Sequence, residues 1–561
     1  MMSEFGRRLK QLRREEAGRS WIYVPYDQLS DRIGPLADDE PQRLGIVLVE
    51  STWKAARRPY HKQKLAFILA NQRHFALEQA ARGIAVRYLA TDRPYAAAIE
   101  PVADELGPLT VMEPAERELR EDLAPLVAKG KLVVVPHAGW LTNIAQFEDE
   151  FAAGPPYRMD KFYRRVRRDS GILMHRGKPV GGKFSYDVEN RRPWRGEPSP
   201  PALPRLDVDP IKAEVGELIA TRFAHHPGTL DLEQLPATAA EAQTWWRHML
   251  AEALPQFGPF EDAMSRSART LFHTRISALV NVHRLLPVDV VADAAKSDAP
   301  LACREGFVRQ VLGWREFVRH LHRATDGFRE LADGATPVGS TPGDGGYERW
   351  AGKPWPRAKT KAKQLPDGGA MPSFLGSDRP LPPAYWGTES GLACLDTVVG
   401  DVWAEAYSHH ITRLMVLSNL ATLLDVSPRE LTDWFWVAYV DAFDWVVEPN
   451  VLGMGTFAVG ELMTTKPYVA GSAYIDRMSD YCDRCAFDPK STCPITRLYW
   501  AFLNRHAQQL AKNPRLLMPM RAAAKRSAEL QRGDAAVFER VSELLTAGEH
   551  LPTDVVRSAT S

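Results

Sequence analysis

The stretch Leu44-Gly-Ile-Val-Leu-Val49 decides how the first part of the chain folds. It is short, apolar and rich in β-branched residues, so it reads as a strand. A helical segment from His61 to Ala81 follows, and then a second short apolar run, Ala85-Val-Arg-Tyr88. Strand, helix and strand in that order predict a parallel pair joined by a crossover. Working outward, Trp21 to Val24, Leu109 to Met112 and Leu132 to Val135 read as further strands, with helices near Tyr95 to Glu105 and Glu116 to Lys129. Residues 20–145 are therefore expected to form an α/β domain with a doubly wound, Rossmann-like parallel sheet. No G-x-G-x-x-G follows the first strand, so the fingerprint of a dinucleotide site is missing. Tyr26-Asp27-Gln28 stands instead at the carboxyl end of that strand, where open sheets bind ligands.

At 561 residues the chain calls for two or more domains. With 45% hydrophobic and 25% charged residues it has the composition of an ordinary globular protein. No window reaches the roughly 18 continuous apolar residues of a membrane span. The charged start, residues 1–19, lacks an apolar signal core and reads as a frayed extension, and the protein is expected in the cytoplasm. Lys+Arg 71 against Asp+Glu 70 is a balanced sum, so any nucleic-acid surface has to lie in the distribution of charge.

Residues 146–208 read as a basic interdomain crossover. Lys161, Arg164, Arg165, Arg167 and Arg168 interleave with Phe162 and Tyr163, which suits either a solvated face or contact with phosphates. Asp187 and Glu189 are a weak candidate for a cation site. From residue 209 to 546 helical periodicity dominates and several helices are too apolar for the surface, so a large all-α domain is expected. Asp326 to Pro383, rich in Gly and Pro, reads as a flexible insertion, with a basic tract at Lys353, Arg357, Lys359, Lys361 and Lys363. Residues 547–561 read as a polar, frayed tail.

Three constellations carry chemistry. Cys482 and Cys485 form C-x2-C, Cys493-Pro494 follows, and Cys394 supplies a fourth thiol; zinc and an iron–sulfur cluster both suit this set. Cys303 stands apart and reads as a packed thiol. His409-His410 precedes Arg413 on an apolar helix, and a buried Arg413 needs a carboxylate, Asp441 or Asp444. Trp434-Phe435-Trp436, Trp445 and Tyr385-Trp386 fill a core or relay electrons.

Several longer motifs resemble the cryptochrome/photolyase family. Gln310-Val-Leu-Gly-Trp-Arg-Glu-Phe317 and His409-His410-Ile-Thr-Arg413 are similar to its flavin-domain signatures. His61-Lys-Gln-Lys-Leu-Ala-Phe67, Arg73-His-Phe-Ala76, Glu448-Pro-Asn450-Val-Leu-Gly-Met454, Thr465-Lys-Pro-Tyr468 and Met478-Ser-Asp-Tyr-Cys-Asp-Arg-Cys485 resemble its bacterial iron–sulfur branch, which includes (6-4) photolyases. The resemblance implies FAD in the helical domain and a [4Fe-4S] cluster on Cys394, Cys482, Cys485 and Cys493. It implies that His273, Thr274 and Ser277 approach the FAD phosphates. Gln310, Trp314 and Arg315 lie nearby, Arg413 pairs with Asp441 beside the isoalloxazine ring, and Asn450 stands in the turn near it. His410, supported by His409, would face the lesion and transfer a proton. Tyr468 and the Glu261-Asp262-Ala263-Met264 turn would line the rim, and Trp434 and Trp386 would carry electrons. The function implied is light-driven repair of ultraviolet-damaged DNA by a monomer, with a signalling cryptochrome as the alternative. A ribolumazine antenna is left open, because Tyr26 stands where relatives tend to have glycine and Lys54 and Arg57 where lumazine-binding members carry Glu and Tyr. A further departure is Val447-Glu448-Pro449-Asn450, in which the carboxylate of the family's Glu-x-Pro-Asn turn is shifted by one residue.

Overall fold

The computed structural model describes residues 3–341, 343, 347 and 367–559. Five strands form one sheet: β1 (Ser20–Tyr23), β2 (Leu44–Ser51), β3 (Ala85–Thr91), β4 (Leu109–Met112) and β5 (Leu132–Val135). Their order is β3-β2-β1-β4-β5 and every pairing is parallel, with Ile22 opposite both Ile46 and Thr110. The expected doubly wound sheet is what the chain forms. The order reverses at β1, which puts a crevice at the carboxyl ends of β1, β2 and β4.

The helix Lys62–Ala81 lies between the sheet and the helical domain, and this explains its lack of a polar stripe. Gln63, Lys64, Asn71, Gln72 and Arg73 are all buried along it. Each is satisfied across an interface. Lys64 Nζ donates to the carbonyls of Trp436 (2.7 Å) and Ala442 (2.5 Å), Asn71 to Pro236 (3.0 Å), Gln72 to Val49 (3.2 Å), and Arg73 is held by Glu50. The two domains therefore share one polar seam.

Both expected loose ends are docked. Residues Glu4–Gln11 form a helix capped by Ser3, whose Phe5 is buried against Tyr88 at 4.6 Å and whose Phe5 N–H donates to Glu214 (3.1 Å). At the other end Leu551 and Val555 are buried, and Leu551 N–H donates to the Ser390 carbonyl (2.9 Å). A few apolar residues in a polar segment outweigh its mean composition, because each fully buried side chain is worth about 1.5–3 kcal/mol.

The crossover opens on two helices, Ile144–Glu150, which spans the expected boundary at 145/146, and Met159–Ser170. In the second, Lys161, Arg164 and Arg168 are exposed, but Arg167 is buried and donates to the carbonyls of Leu173 (2.7 Å) and Phe184 (2.9 Å). Arg167 thus belongs to the core and not to the basic face. The described parts of the 326–383 segment are tied down. Glu330–Leu331 pairs with Gly334–Ala335, Asp326 binds Arg117 (2.7 and 2.9 Å), and Asp367 binds Arg329. Its basic tract lies outside the described residues. Among the described residues no helix is long and apolar enough to cross a membrane.

The helical domain carries three stretches of π-helix: Arg309–Arg315, Arg413–Ser418 and Pro449–Gly455. A π-turn gives up regular hydrogen bonding to re-aim side chains, and such turns concentrate at functional sites.

Candidate active site

The three π-stretches bring Gln310, Trp314, Arg315, Arg413 and Asn450 into the same domain core. Arg413 Nη1 and Nη2 donate to Asp441 Oδ1 (3.1 Å) and Oδ2 (3.0 Å), and Arg413 Nε donates to the Ser408 carbonyl (2.8 Å). Its guanidinium also lies 4.1 Å from the Tyr439 ring. Asp441, not Asp444, is the partner; Asp444 accepts from Glu118 N–H (3.2 Å) near the sheet domain. Ser277 Oγ donates to Asp441 Oδ2 (2.7 Å). Burial pushes the Asp441 carboxyl up, but Arg413 and Ser277 outweigh it and hold Asp441 below its usual range.

Asn281, which nothing in the sequence singled out, joins this pair to Arg315. Its Nδ2 donates to the Asp441 carbonyl (3.0 Å) and its Oδ1 accepts from Arg315 Nε (3.3 Å). Arg315 lies 4.0 Å over Trp140 and beside Glu316 (3.0 Å). Burial lowers the Arg315 guanidinium to about 10. Gln310 Nε2 donates to Glu261 (2.6 Å), Trp314 packs on Phe317 (6.1 Å), and Asn450 Nδ2 donates back to the Val446 carbonyl (2.8 Å). The Thr274 carbonyl accepts from Trp245 Nε1 (3.1 Å).

The histidines form a trio. His273 stacks on His409 with centroids 4.5 Å apart and planes 7° from parallel, and meets His410 edge-on at 5.4 Å. His409 is buried and N-caps the short helix His410–Thr412, while the His410 side chain is 43% exposed with Nε2 3.7 Å from Asp262. Burial, then the neighbouring imidazoles and Arg413, keeps His273 and His409 well below the ordinary histidine range, so both are neutral. Burial also pushes the Tyr468 phenol up, with Asp187, Arg191 and Arg515 as its charged neighbours. Asp187 and Glu189 do not form a cation site. Asp187 pairs with Arg191 and Arg309, and Glu189 with Lys183 (3.2 Å). Arg191 reaches Asp262 (3.9 Å), so the crossover is linked to His410 through one carboxylate.

Trp403 joins Trp386 to Trp434. It stacks on Trp386 (5.5 Å) and meets Trp434 edge-on (6.0 Å), and Trp434 meets Tyr439 (6.0 Å), the ring under Arg413. A continuous aromatic path thus leads to the Arg413–Asp441 pair. Trp403 lies in a helix of otherwise ordinary amphipathic pattern, and only its spacing from Trp386 across the fold reveals it.

Cys394 stands in the first turn of the helix Ala393–Glu405, Cys493 N-caps the helix Pro494–Arg505, and Cys482 lies inside the short turn Tyr481–Arg484, which Cys485 ends. All are free thiols. They face one another: burial raises the Cys394 thiol well above its usual value and Cys493, Cys485 and Cys482 add to the rise. The two helix N-termini work against this rise but do not reverse it, so without a bound metal the Cys394 and Cys493 thiols hold their protons. Cys303 is different. It is fully buried, with Sγ donating to the Pro255 carbonyl (3.2 Å), as a packed thiol should.

Residues 22–235 match the family model described as deoxyribodipyrimidine photo-lyase-related protein. A (6-4) photolyase of Agrobacterium fabrum is 32% identical over 540 residues, covering 92% of this chain and 99% of that protein. The chain belongs to the cryptochrome/photolyase family. A solved bacterial class III photolyase from Agrobacterium tumefaciens shares the fold at TM-score 0.50 and 14% identity, over 97% of this chain and 98% of the other. An uncharacterized protein of Acanthamoeba polyphaga mimivirus is 39% identical over 66 residues, 12% of this chain and 54% of that protein.

Open doubly wound sheets bind ligands in the crevice at the switch point, and here polar side chains bridge part of it. Tyr26 Oη and Lys54 Nζ both hydrogen-bond Glu116, and Lys54 Nζ donates to Tyr26 Oη (2.8 Å). All three side chains are buried. Arg57 is turned onto Trp53 (4.3 Å). The triad forms the polar wall of a cavity lined also by Ser51, Lys64, Leu69, Gln72 and Phe443.

Proposed function

We propose that the chain is a light-driven DNA repair enzyme acting on a pyrimidine photoproduct, the (6-4) lesion by preference. The observation that carries this reading is the conjunction of a buried Arg413–Asp441 pair with a half-exposed His410 at the end of a neutral histidine stack. The donor set suits FAD: Arg413, Asp441, Asn450, Gln310, Trp314 and Arg315 would surround the isoalloxazine, and His273, Thr274 and Ser277 would approach the phosphates. Bound there in reduced form, FAD would supply one electron under blue light to the damaged base pair.

The chain's own residues do the rest. His410 Nε2 would hold the proton given to the lesion and take it back, with Asp262 steadying the charged form across 3.7 Å. His409 and His273, kept neutral behind it, would leave that proton no competing imidazole. Tyr468 would line the rim, and Trp386, Trp403 and Trp434 would pass electrons toward the pair. Exposed Lys161, Arg164 and Arg168 would bind phosphates, and flipping a damaged pair costs less than flipping an intact one.

We further propose a [4Fe-4S] cluster on Cys394, Cys482, Cys485 and Cys493. Tetrahedral zinc, with Zn–S of about 2.3 Å, draws its sulfurs to roughly 3.8 Å from one another. Among the described residues the only set of three ligating atoms mutually within 4.8 Å is the histidine trio. The thiols, close enough to influence one another yet more widely spaced, suit a larger inorganic core.

Repair of (6-4) lesions in a defined oligonucleotide under blue light, with flavin-reduced protein, tests the reading. His410→Ala should reduce repair by about 10²–10⁴-fold, the usual worth of a positioned acid–base group. Wild-type protein that binds flavin and restores no lesion would overturn it in favour of a signalling cryptochrome.

A further inference from the structure

His273 serves only as a neutral neighbour in the proton transfer just described, yet it completes a ligand set. One ring nitrogen from each of His273, His409 and His410 lies within 4.8 Å of one from each of the other two. Two of these side chains carry an orphaned atom: His273 Nε2 and His409 Nδ1 are buried with no hydrogen-bond partner. A buried, unpartnered imidazole nitrogen calls for an explanation. Asp262 stands at the open end of the group, 3.7 Å from His410 Nε2. Arg413 lies close by, but its charge is matched by Asp441.

We infer that His273, His409 and His410 bind a single Zn²⁺ ion, with Asp262 beside it as a fourth oxygen ligand or as the carboxylate orienting His410. Imidazole is the commonest zinc ligand, and neutral imidazoles are its ligating form. Tetrahedral zinc with Zn–N of about 2.0–2.1 Å sets N···N near 3.4 Å, so the trio contracts on binding. A ring lone pair lies in the ring plane, and the parallel His273 and His409 rings cannot both aim at one ion as they stand. One of them turns about its Cβ–Cγ bond, and His410, edge-on and exposed, closes on the ion from outside. Any proton on His410 leaves to solvent as the Zn–N bond forms. Zinc therefore removes the proton that repair needs. This last consequence rests on the reading of His410 given above; the binding itself does not.

The experiment is equilibrium dialysis of full-length, flavin-loaded protein against ZnCl₂ in the dark. Wild type is compared with His273→Ser, His410→Ala and the triple variant His273→Ser/His409→Ala/His410→Ala, all of which keep the four cysteines. Circular dichroism and thermal melting report folding, and His410→Ala, altered at an exposed position, keeps the test open if His273→Ser misfolds or loses flavin. Wild type should take up one ion more than the triple variant, with affinity at least tenfold weaker in each single variant. Equal uptake by wild type and triple variant overturns the site, and so does His410→Ala binding as tightly as wild type. Zinc should also inhibit repair in proportion to occupancy. Zinc binding to a protein that repairs nothing would leave the site standing and sink the functional reading alone.

Discussion

The Arg413–Asp441 pair permits a quantitative test. Arg413 makes three hydrogen bonds, two to Asp441 and one to the Ser408 carbonyl, and its side chain is 22% exposed against 6% for Asp441. Asp441→Leu removes two of the three and leaves the guanidinium inside with only Ser408 and the Tyr439 ring. Removing one partner of a buried pair costs about 3–5 kcal/mol, because the remaining charge stays desolvated. The Ser277 hydroxyl also loses its acceptor, which adds about 1 kcal/mol. Partial exposure of Arg413 lets it turn toward water, so we expect the lower end, about 3 kcal/mol, or roughly two powers of ten in the folding equilibrium. Arg413→Leu/Asp441→Leu should recover at least half, since both charges leave together and leucines fill the volume. Denaturant unfolding of the four proteins, read by fluorescence at the transition of the helical domain, closes the cycle. A loss below 1 kcal/mol for the single variant, or a double variant equal to the sum of the singles, would refute the argument. The pH dependence gives a second check. Folding holds the Asp441 carboxyl below its ordinary value of 3.8, so the pair's contribution is complete above that value. It disappears only as the pH falls further, through the folded-state value.

Asp27 should behave in the opposite sense. Burial raises its carboxyl from 3.8 to about 7, and its Oδ1 has no partner, so stability is lost as pH rises from 3.8 through about 7. Asp27→Asn should therefore stabilise at pH 8 by on the order of 1–3 kcal/mol and by little at pH 4, as thermal melts at both values will show. Cys394→Ser should lower bound iron and acid-labile sulfide together and drop the melting temperature of the helical domain; iron retained in full would contradict the four-thiolate set. Trp403→Phe should slow photoreduction of bound flavin at least tenfold, measured by the loss of its blue absorbance under constant light; an unchanged rate would remove Trp403 from the path.

The sheet was legible because buried parallel strands are continuous apolar runs, and Leu44 to Val49 is as clear a case as a sequence offers. The Arg413–Asp441 pair was legible in part, since a buried arginine needs a carboxylate, but two aspartates were near and only packing chose between them. Asn281 and Trp403 were illegible for a common reason. Each acts as a bridge between segments distant in sequence, and a single Asn or Trp in a helical pattern carries no periodic signal of its own. Frayed ends were expected at residues 1–19 and 547–561 because mean polarity is a poor guide where a single Phe5 or Leu551 finds a pocket.

The shifted carboxylate at the Val447-Glu448-Pro449-Asn450 turn has a structural explanation. Glu448 is buried, and its Oε1 accepts from Arg429 Nη1 (2.8 Å) while its Oε2 pairs with His322 Nε2 (2.8 Å). Burial pushes this carboxyl up, but His322 and Arg429 more than reverse it and hold it near 2, so it is charged throughout the working range. Both oxygens are also tightly approached by backbone: a Cβ on Gly327 would meet Oε2 at 2.9 Å, and one on Gly369 would meet Oε1 at 3.2 Å. Gly327 and Gly369 flank the segment whose basic tract lies outside the described residues, and both have positive φ, which a side chain would strain. Glu448 thus lies where the two ends of that segment approach the helical domain, and the Arg429 it holds also donates to the Ala370 carbonyl (3.4 Å). With one oxygen on Arg429 and the other on His322, the shifted carboxylate acts as an anchor inside the helical domain. Glu448→Gln should then lower stability and loosen the segment to protease while leaving flavin binding intact.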